Sequence, residues 1–216
     1  MSALYGFYGP KDPELIATMR GALSHRGEAL CSEEVTESAT IGVVSHHTQA
    51  TCERLGTGHW KDPERDLSIT LSGQLLAPRP GAEPALPHLL RRYQDEGIAL
   101  FKHLRGAFVM AIRDGATLHL VRDGVGARTL VWGHHGSHTR FAVESKGILS
   151  DRRFPRRLRP GAVFTREWGA YPWERSSRVT AVDATFIVVG FFLYGKRMPR
   201  LCAAFARRSR WAPARG

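Results

Sequence analysis

His46-His47 and the His134-His135-x-x-His138 group are the residues whose type and spacing most directly invite a chemical role. Neutral imidazoles bind zinc and shuttle protons near neutral pH. A zinc site needs three or four converging ligands. No Asp, Glu or Cys cluster surrounds either group in the sequence. The second group also falls at a turn, where exposed polar residues are expected. These histidines read as surface residues, and no metal site is expected. Arg122-Asp123-Gly124-x-Gly126 has glycines but lacks the strand–Gly-loop–helix context and the Gly-Lys-Ser/Thr of a phosphate loop, so it reads as a turn after a strand. Asp151-Arg152-Arg153-Phe154-Pro155-Arg156-Arg157 is a basic run with one aromatic, read as a solvated loop; an acidic partner or RNA phosphates would be its functional reading. His25 and Arg26 read as bracing a turn. Cys31, Cys52 and Cys202 are too few and too scattered for a disulfide scaffold or a Cys-rich zinc site and read as plain thiols.

These residues must be positioned by the elements around them. Leu4–Tyr8 reads as a strand stopped by Gly9-Pro10. Asp12 is an N-cap, Pro13 the first helical residue and Glu14 an acid in the first turn. Leu15, Ile16, Met19 and Leu23 recur at helical spacing, and Gly27 closes the unit. Thr40–Ser45 and Asp66–Leu71 read as strands. Ala77–Pro87 is rich in Pro and Gly and reads as a loop. Leu86–Tyr93 and Ile98–Leu104 suggest two helices broken at Gly97. Ala107–Arg113 and Thr117–Arg122, joined by Asp114-Gly115-Ala116, form a predicted hairpin. Phe108, Met110 and Ile112 are expected on one core face, with Leu118 and Leu120 beside them on the partner strand. Thr129–Gly133 and Thr139–Val143 follow, with Gly136 in their turn. Many antiparallel strands with two or three helices make an α+β layered domain rather than a βαβ series.

The chain has 216 residues, 43% hydrophobic and 24% charged, which excludes wholesale disorder, collagen-like and coiled-coil classes. Its start shows no signal-peptide pattern, so a cytoplasmic location is expected. The net charge is +11. Residues 166–216 carry ten Lys/Arg against three Asp/Glu, whereas residues 1–165 are only mildly basic. Two domains are therefore expected: 1–165, and a basic C-terminal extension, 166–216. Within the extension, Ala184–Gly195 is a twelve-residue apolar run, shorter than the roughly 20 residues of a membrane helix. It reads as a buried element, with an interfacial anchor as the alternative. The change in composition fits a genuine basic extension, a truncated gene or a tail read out of frame.

Residues 1–165 resemble the N-terminal glutaminase domain of the asparagine synthetase family, the class II (N-terminal nucleophile) glutamine amidotransferases. The stretches that carry this occur in order: Met1-Ser2-Ala3-Leu4-Tyr5-Gly6-Phe7, Leu23-Ser24-His25-Arg26-Gly27, Leu71-Ser72-Gly73-Gln74, Tyr93-Gln94-Asp95-Glu96-Gly97, Leu104-Arg105-Gly106-Ala107-Phe108, Leu120 to Leu130, Phe141 to Leu149, and Arg159-Pro160-Gly161. The resemblance implies a four-layer αββα sandwich of two antiparallel sheets. It also implies a site whose usual residues are altered. The family's catalytic Cys, whose own α-amine serves as base, corresponds to Ser2. Its substrate-carboxylate Arg corresponds to Ser45. Its oxyanion-hole Asn and Gly correspond to Ser72 and Gly73. The Glu and Asp that hold the substrate ammonium correspond to Gln74 and Ala85. A pocket lacking those charges is not expected to select the glutamine zwitterion.

β-Lactam synthetases and lasso-peptide cyclases are similar in having lost the nucleophile. In that family ATP and Mg belong to a second, synthetase domain with a Ser-Gly-Gly-x-Asp-Ser loop, and this chain has no such loop. No cofactor is expected here. The leading expectation is a degenerate amidotransferase-like module of an amide-forming system, serving a synthetase-domain partner structurally or by docking. One alternative is an active Ser2-dependent amidohydrolase, the glutaminase half of an asparagine synthase. The other is a basic module for RNA or anionic lipid. Neither nucleic acid nor membrane contact through the tail is the leading expectation, and the sequence leaves the oligomeric state open.

Overall fold

The computed structural model describes residues 1–28, 30–77, 83–148, 156–158, 160, 162–165 and 169–172. Ala184–Gly195, the 151–155 part of the basic run and Cys202 lie outside the described residues.

Among the described residues, twelve strands form two six-stranded sheets in which every pairing is antiparallel. The first sheet holds β1 (Ser2–Tyr8), β2 (Leu30–Val35), β3 (Ala39–Ser45), β8 (Val131–His135), β9 (His138–Ala142) and β10 (Arg156–Arg157), in the order β10-β8-β9-β1-β3-β2. The second holds β4 (Gly58–Lys61), β5 (Leu67–Ala77), β6 (Arg105–Asp114), β7 (Thr117–Arg122), β11 (Ala162–Thr165) and β12 (Gly169–Pro172), in the order β12-β11-β7-β6-β5-β4.

Helix α1 (Pro13–Ala22) lies against the first sheet. Asp12 caps it by accepting the Leu15 N–H at 2.9 Å, and Pro13 sits where no N–H is needed. Its Leu15, Ile16 and Met19 are buried with Ala3, Tyr5 and Phe7 of β1. Helix α3 (Ala85–Glu96) and the 3-10 helix Gly97–His103 cover the second sheet, burying Leu86, Leu89, Leu90, Tyr93, Leu100 and Phe101 on Leu67, Ile69, Leu71, Phe108, Met110 and Ile112. A short α2 (Gln49–Leu55) is capped by Thr48 and stopped by Gly56 in the left-handed region at φ 75°. The layers run helix, sheet, sheet, helix, as expected.

The face between the sheets is set by strand alternation. On β5, Leu67, Ile69 and Leu71 point at α3, while Ser68, Thr70 and Ser72 share the opposite face. Their small hydroxyl side chains meet the first sheet directly: Ser72 bonds Ser2 of β1, and Ser68 bonds Glu34 of β2.

Three expectations are corrected. The loop placed over Ala77–Pro87 ends earlier, because α3 begins at Ala85; proline in a first helical turn costs no hydrogen bond, so Pro84 and Pro87 do not exclude it. The second predicted helix is a 3-10 helix. Leu118 and Leu120 do not share a face with Phe108, Met110 and Ile112. The Gly115-Ala116 turn pairs Asp114 with Thr117, which sets His119 opposite Ile112 and Val121 opposite Met110. Leu118 and Leu120 therefore join Val109 and Ala111 between the sheets. Strands β2 and β4 and helix α2 were not anticipated.

Candidate functional site

The start of β1 and the end of β3 pair so that Ser2 lies directly opposite Ser45. Strand β5 brings Ser72 across from the other sheet, and Ser2 Oγ and Ser72 Oγ are 2.9 Å apart. Ser2, Ser45 and Ser72 are all buried, at 2%, 0% and 0% exposure, so their hydroxyls are fixed by protein partners rather than by bulk water. Ser45 Oγ donates to the Met1 carbonyl at 3.3 Å and accepts the His47 N–H at 3.1 Å. The buried Cys52 thiol of α2 donates to Ser45 Oγ at 3.5 Å.

Gly73 follows Ser72 at a position only glycine fits. Its φ is +131°, and a Cβ there would lie 2.2 Å from the Ala107 carbonyl of β6. Thr57, itself buried, holds this residue from both sides: its Oγ1 donates to the Gly73 carbonyl at 2.5 Å and accepts the Gly73 N–H at 3.2 Å. Gln74 comes next on β5 and is exposed. Ala85 begins α3 and packs beside Gly56, where an added Cβ would stand 3.3 Å from its own. Of the six positions anticipated, the structure gathers Ser2, Ser45, Ser72 and Gly73 at one end of the sandwich, with Gln74 adjoining and Ala85 on a separate element.

Arg128 was not anticipated at this site. Its Nη1 donates to the Ser2 carbonyl at 2.9 Å and to Ser72 Oγ at 3.4 Å. The loop that delivers it is built by its own first residues. The fully buried Asp123 accepts the N–H groups of Ala127 and Arg128 at 2.9 and 3.1 Å. Arg122 donates to the carbonyls of Arg128, Gly126 and Leu158. Arg122-Asp123-Gly124-x-Gly126 is thus a turn, as read from sequence, and it holds the backbone of Ala127 and Arg128 just after it. Thr57 was missed as well, since its contact partner is 16 positions away; the only cue was the Gly56-Thr57-Gly58 break before β4.

Positive charge collects around the serines. Burial, then the fields of Arg128 and Arg26, lower the proton affinity of the Met1 ammonium. Burial, then the ammonium, Arg128, His46 and Arg54, hold His47 below the usual histidine range. Arg26 and His25 both bond Glu144; burial alone would raise that carboxyl, but these partners outweigh it and leave it below its ordinary value. His25 and Arg26 thereby tie the turn after α1 to the segment after β9. Gly27 lets that turn meet β3, because a Cβ there would fall 2.1 Å from the His46 nitrogen.

Among the described residues, neither imidazole nor carboxylate hydrogen-bonds Ser2 Oγ. No group of three or more His, Cys, Asp and Glu converges on a possible metal position among them. His46 bonds the His25 carbonyl, His134 bonds Thr139, and His138 bonds the Pro10 carbonyl.

Residues 80–150 match a family model described as a glutamine amidotransferase domain. No curated protein matches the chain. Among solved structures, it is similar to glutamine phosphoribosylpyrophosphate amidotransferase from B. subtilis in complex with ADP and GMP, at 15% identity and a TM-score of 0.63, over 81% of this chain and 50% of that one. It is also similar to a structure described as the allosteric regulatory enzyme of purine biosynthesis, at 17% identity and a TM-score of 0.56, over 81% of this chain and 49% of that one. The chain spans about half the length of these two proteins. At such identities the likeness establishes the fold.

Proposed function

We propose that this chain is a class II glutamine amidotransferase-type domain that works without glutaminase activity. It is a degenerate module of an asparagine-synthetase-type, ATP-dependent amide-forming system, and it serves a synthetase partner by scaffolding or docking. The observation that carries this reading is the Gly73 N–H. In the resembled family that group and the preceding Asn stabilise the oxyanion. Here the N–H is donated to Thr57 Oγ1, and the Asn is Ser72, whose hydroxyl bonds Ser2. Losing one such donor alone costs about 2.7–4 kcal/mol of barrier, or about 10²–10³ in rate. The substitutions at Ser45, Gln74 and Ala85 add the loss of substrate anchoring.

A second reading is supported by the 2.9 Å contact between Ser2 Oγ and Ser72 Oγ, since Ser2 is the residue that corresponds by resemblance to the family's nucleophile. Once Met1 is removed, the Ser2 amine could serve as its base and cleave an amide other than glutamine. Incubating wild type and Ser2→Ala with a panel of primary amides separates the two. The proposal expects no Ser2-dependent ammonia from any of them. Ser2-dependent release from one amide would establish the hydrolase instead.

A further inference from the structure

Residues 123–130 carry the chain from β7 of the second sheet to β8 of the first. This crossing is pinned at both ends. The Asp123 N–H donates to the Phe108 carbonyl of β6 at 3.1 Å, and the Leu130 carbonyl accepts the Leu158 N–H at 2.8 Å. Between the pins, the Asp123 carboxylate holds the Ala127 and Arg128 N–H groups, and Arg122 donates to the carbonyls of Gly126, Arg128 and Leu158. Gly126 makes the bend at φ +71°, where a Cβ would stand 2.5 Å from the Pro160 ring. A segment tied at so many points is held in one conformation, and that conformation delivers Arg128. The half-buried Arg128 touches both sheets at once, donating through Nη1 to the Ser2 carbonyl of β1 and to Ser72 Oγ of β5. Burial and Arg26 work against its charge, whereas Asp123 favours it, so the carboxylate that shapes the segment also compensates the cation it carries.

We infer that residues 123–130 form a strap that closes the Ser2 end of the sandwich, with the Arg128 guanidinium as its clasp. The exposures follow this order: Ala127 is exposed, Arg128 is half-buried, and the Ser2 and Ser72 that Arg128 bonds are 2% and 0% exposed. The strap thus lies between the paired serine hydroxyls and solvent. The inference deepens the proposed function, on which it rests for the identity of the site. Besides the altered residues, a closed strap keeps an amide from the Ser2 hydroxyl, and any chemistry there requires the strap to open first.

The test is chemical access to position 2. The full chain carrying Ser2→Cys, kept reduced with a phosphine, is treated with iodoacetamide, and alkylation of each cysteine-bearing peptide is timed by mass spectrometry. With the strap intact, the introduced thiol should react far more slowly than in the same chain unfolded in urea. Adding Arg128→Gln should speed its alkylation about tenfold or more, because access then no longer waits on the clasp. Cys52, buried on α2, is the internal control and should keep its slow rate. Where Arg128→Gln speeds Cys52 equally, the whole fold has loosened and Gly126→Ala decides instead. That change strains the strap against Pro160 and leaves Arg128, Ser2 and Ser72 in the sequence. It should speed the introduced thiol severalfold with Cys52 unchanged. Rapid alkylation of Ser2→Cys with the strap intact would overturn the proposal. So would an unchanged rate in folded Arg128→Gln, or in Gly126→Ala where Arg128→Gln loosens the chain. No amide is present in these reactions, whereas ammonia release tests the loss of glutaminase activity, so the two can fail separately.

Discussion

Arg113 is almost fully buried between the sheets, and Glu34, reaching across from β2, is the reason it can be. The guanidinium donates to Glu34 Oε1 through Nη2 at 2.8 Å and Nε at 3.2 Å, and to Asp66 at 2.7 Å. Burial by itself would raise the Glu34 carboxyl, but hydrogen bonds from Arg113 and Ser68 outweigh it and leave it below its ordinary 4.5. A carboxyl lowered by folding stabilises the protein above its unfolded value, and that contribution is lost as the pH falls through the folded value. Glu34→Gln leaves Arg113 buried with the exposed Asp66 as its one carboxylate partner among the described residues, beside the Asp66 and Gly115 carbonyls, and should cost about 3–5 kcal/mol. Denaturant melts at pH 7 measure this directly. Repeated from pH 5 downward, they should show a steep loss in the wild type and a shallower one in the variant. At the other end of the layer, Thr57→Val should cost about 1–3 kcal/mol, because the Gly73 N–H then loses its acceptor; the denaturation midpoint reports it.

Strands with clean alternation or a short apolar run bounded by turn residues were legible from the sequence. The Leu-Ser-Ile-Thr-Leu-Ser stretch of β5 presents one apolar and one small face, β1 and β3 stand out as short apolar runs, and α1 announced itself through Asp12-Pro13-Glu14. β2 was not legible because its Glu33-Glu34 pair looks solvated. Each acid in fact faces a different layer: Glu33 bonds Tyr5 and Arg20 beside α1, and Glu34 bonds Arg113 between the sheets. A buried charge whose partner lies 79 residues away leaves no local signal. The hairpin β6–β7 was legible as a pair but not in its facing, because a turn one residue different exchanges every side chain between layers. Phe108, fully buried under α3, should cost about 3–5 kcal/mol on Phe108→Ala, and an unchanged melting midpoint would contradict the register described. The loop after β7 makes a separate prediction. Asp123→Ala frees two backbone N–H groups and releases the segment that carries Arg128. Its cost should be about 1–3 kcal/mol, with amide exchange rising first at Ala127 and Arg128.

At the scale of the whole chain, the sandwich was legible through its resemblance, and so were the positions Ser2, Ser45, Ser72 and Gly73 that the fold brings to one end. What the sequence could not display is what those positions touch. Arg128 reaches Ser2 across 126 residues, and Thr57 closes on Gly73 from just before the start of β4. Those two contacts bear on the proposed function, because one sets a cation against the carbonyl of Ser2, the proposed nucleophile position, and the other engages the Gly73 N–H, the proposed oxyanion donor. Among the described residues no helix is long and apolar enough to cross a membrane. The central claim is that this end of the fold has lost glutamine hydrolysis through several residues at once rather than through the nucleophile alone. Ammonia release from saturating glutamine, measured for the wild type and for Ser2→Cys with Met1 removed from both, tests it most directly. Both should stay at the rate of a no-enzyme blank. Turnover by the wild type, or turnover restored by the single Ser2→Cys change, would contradict the account.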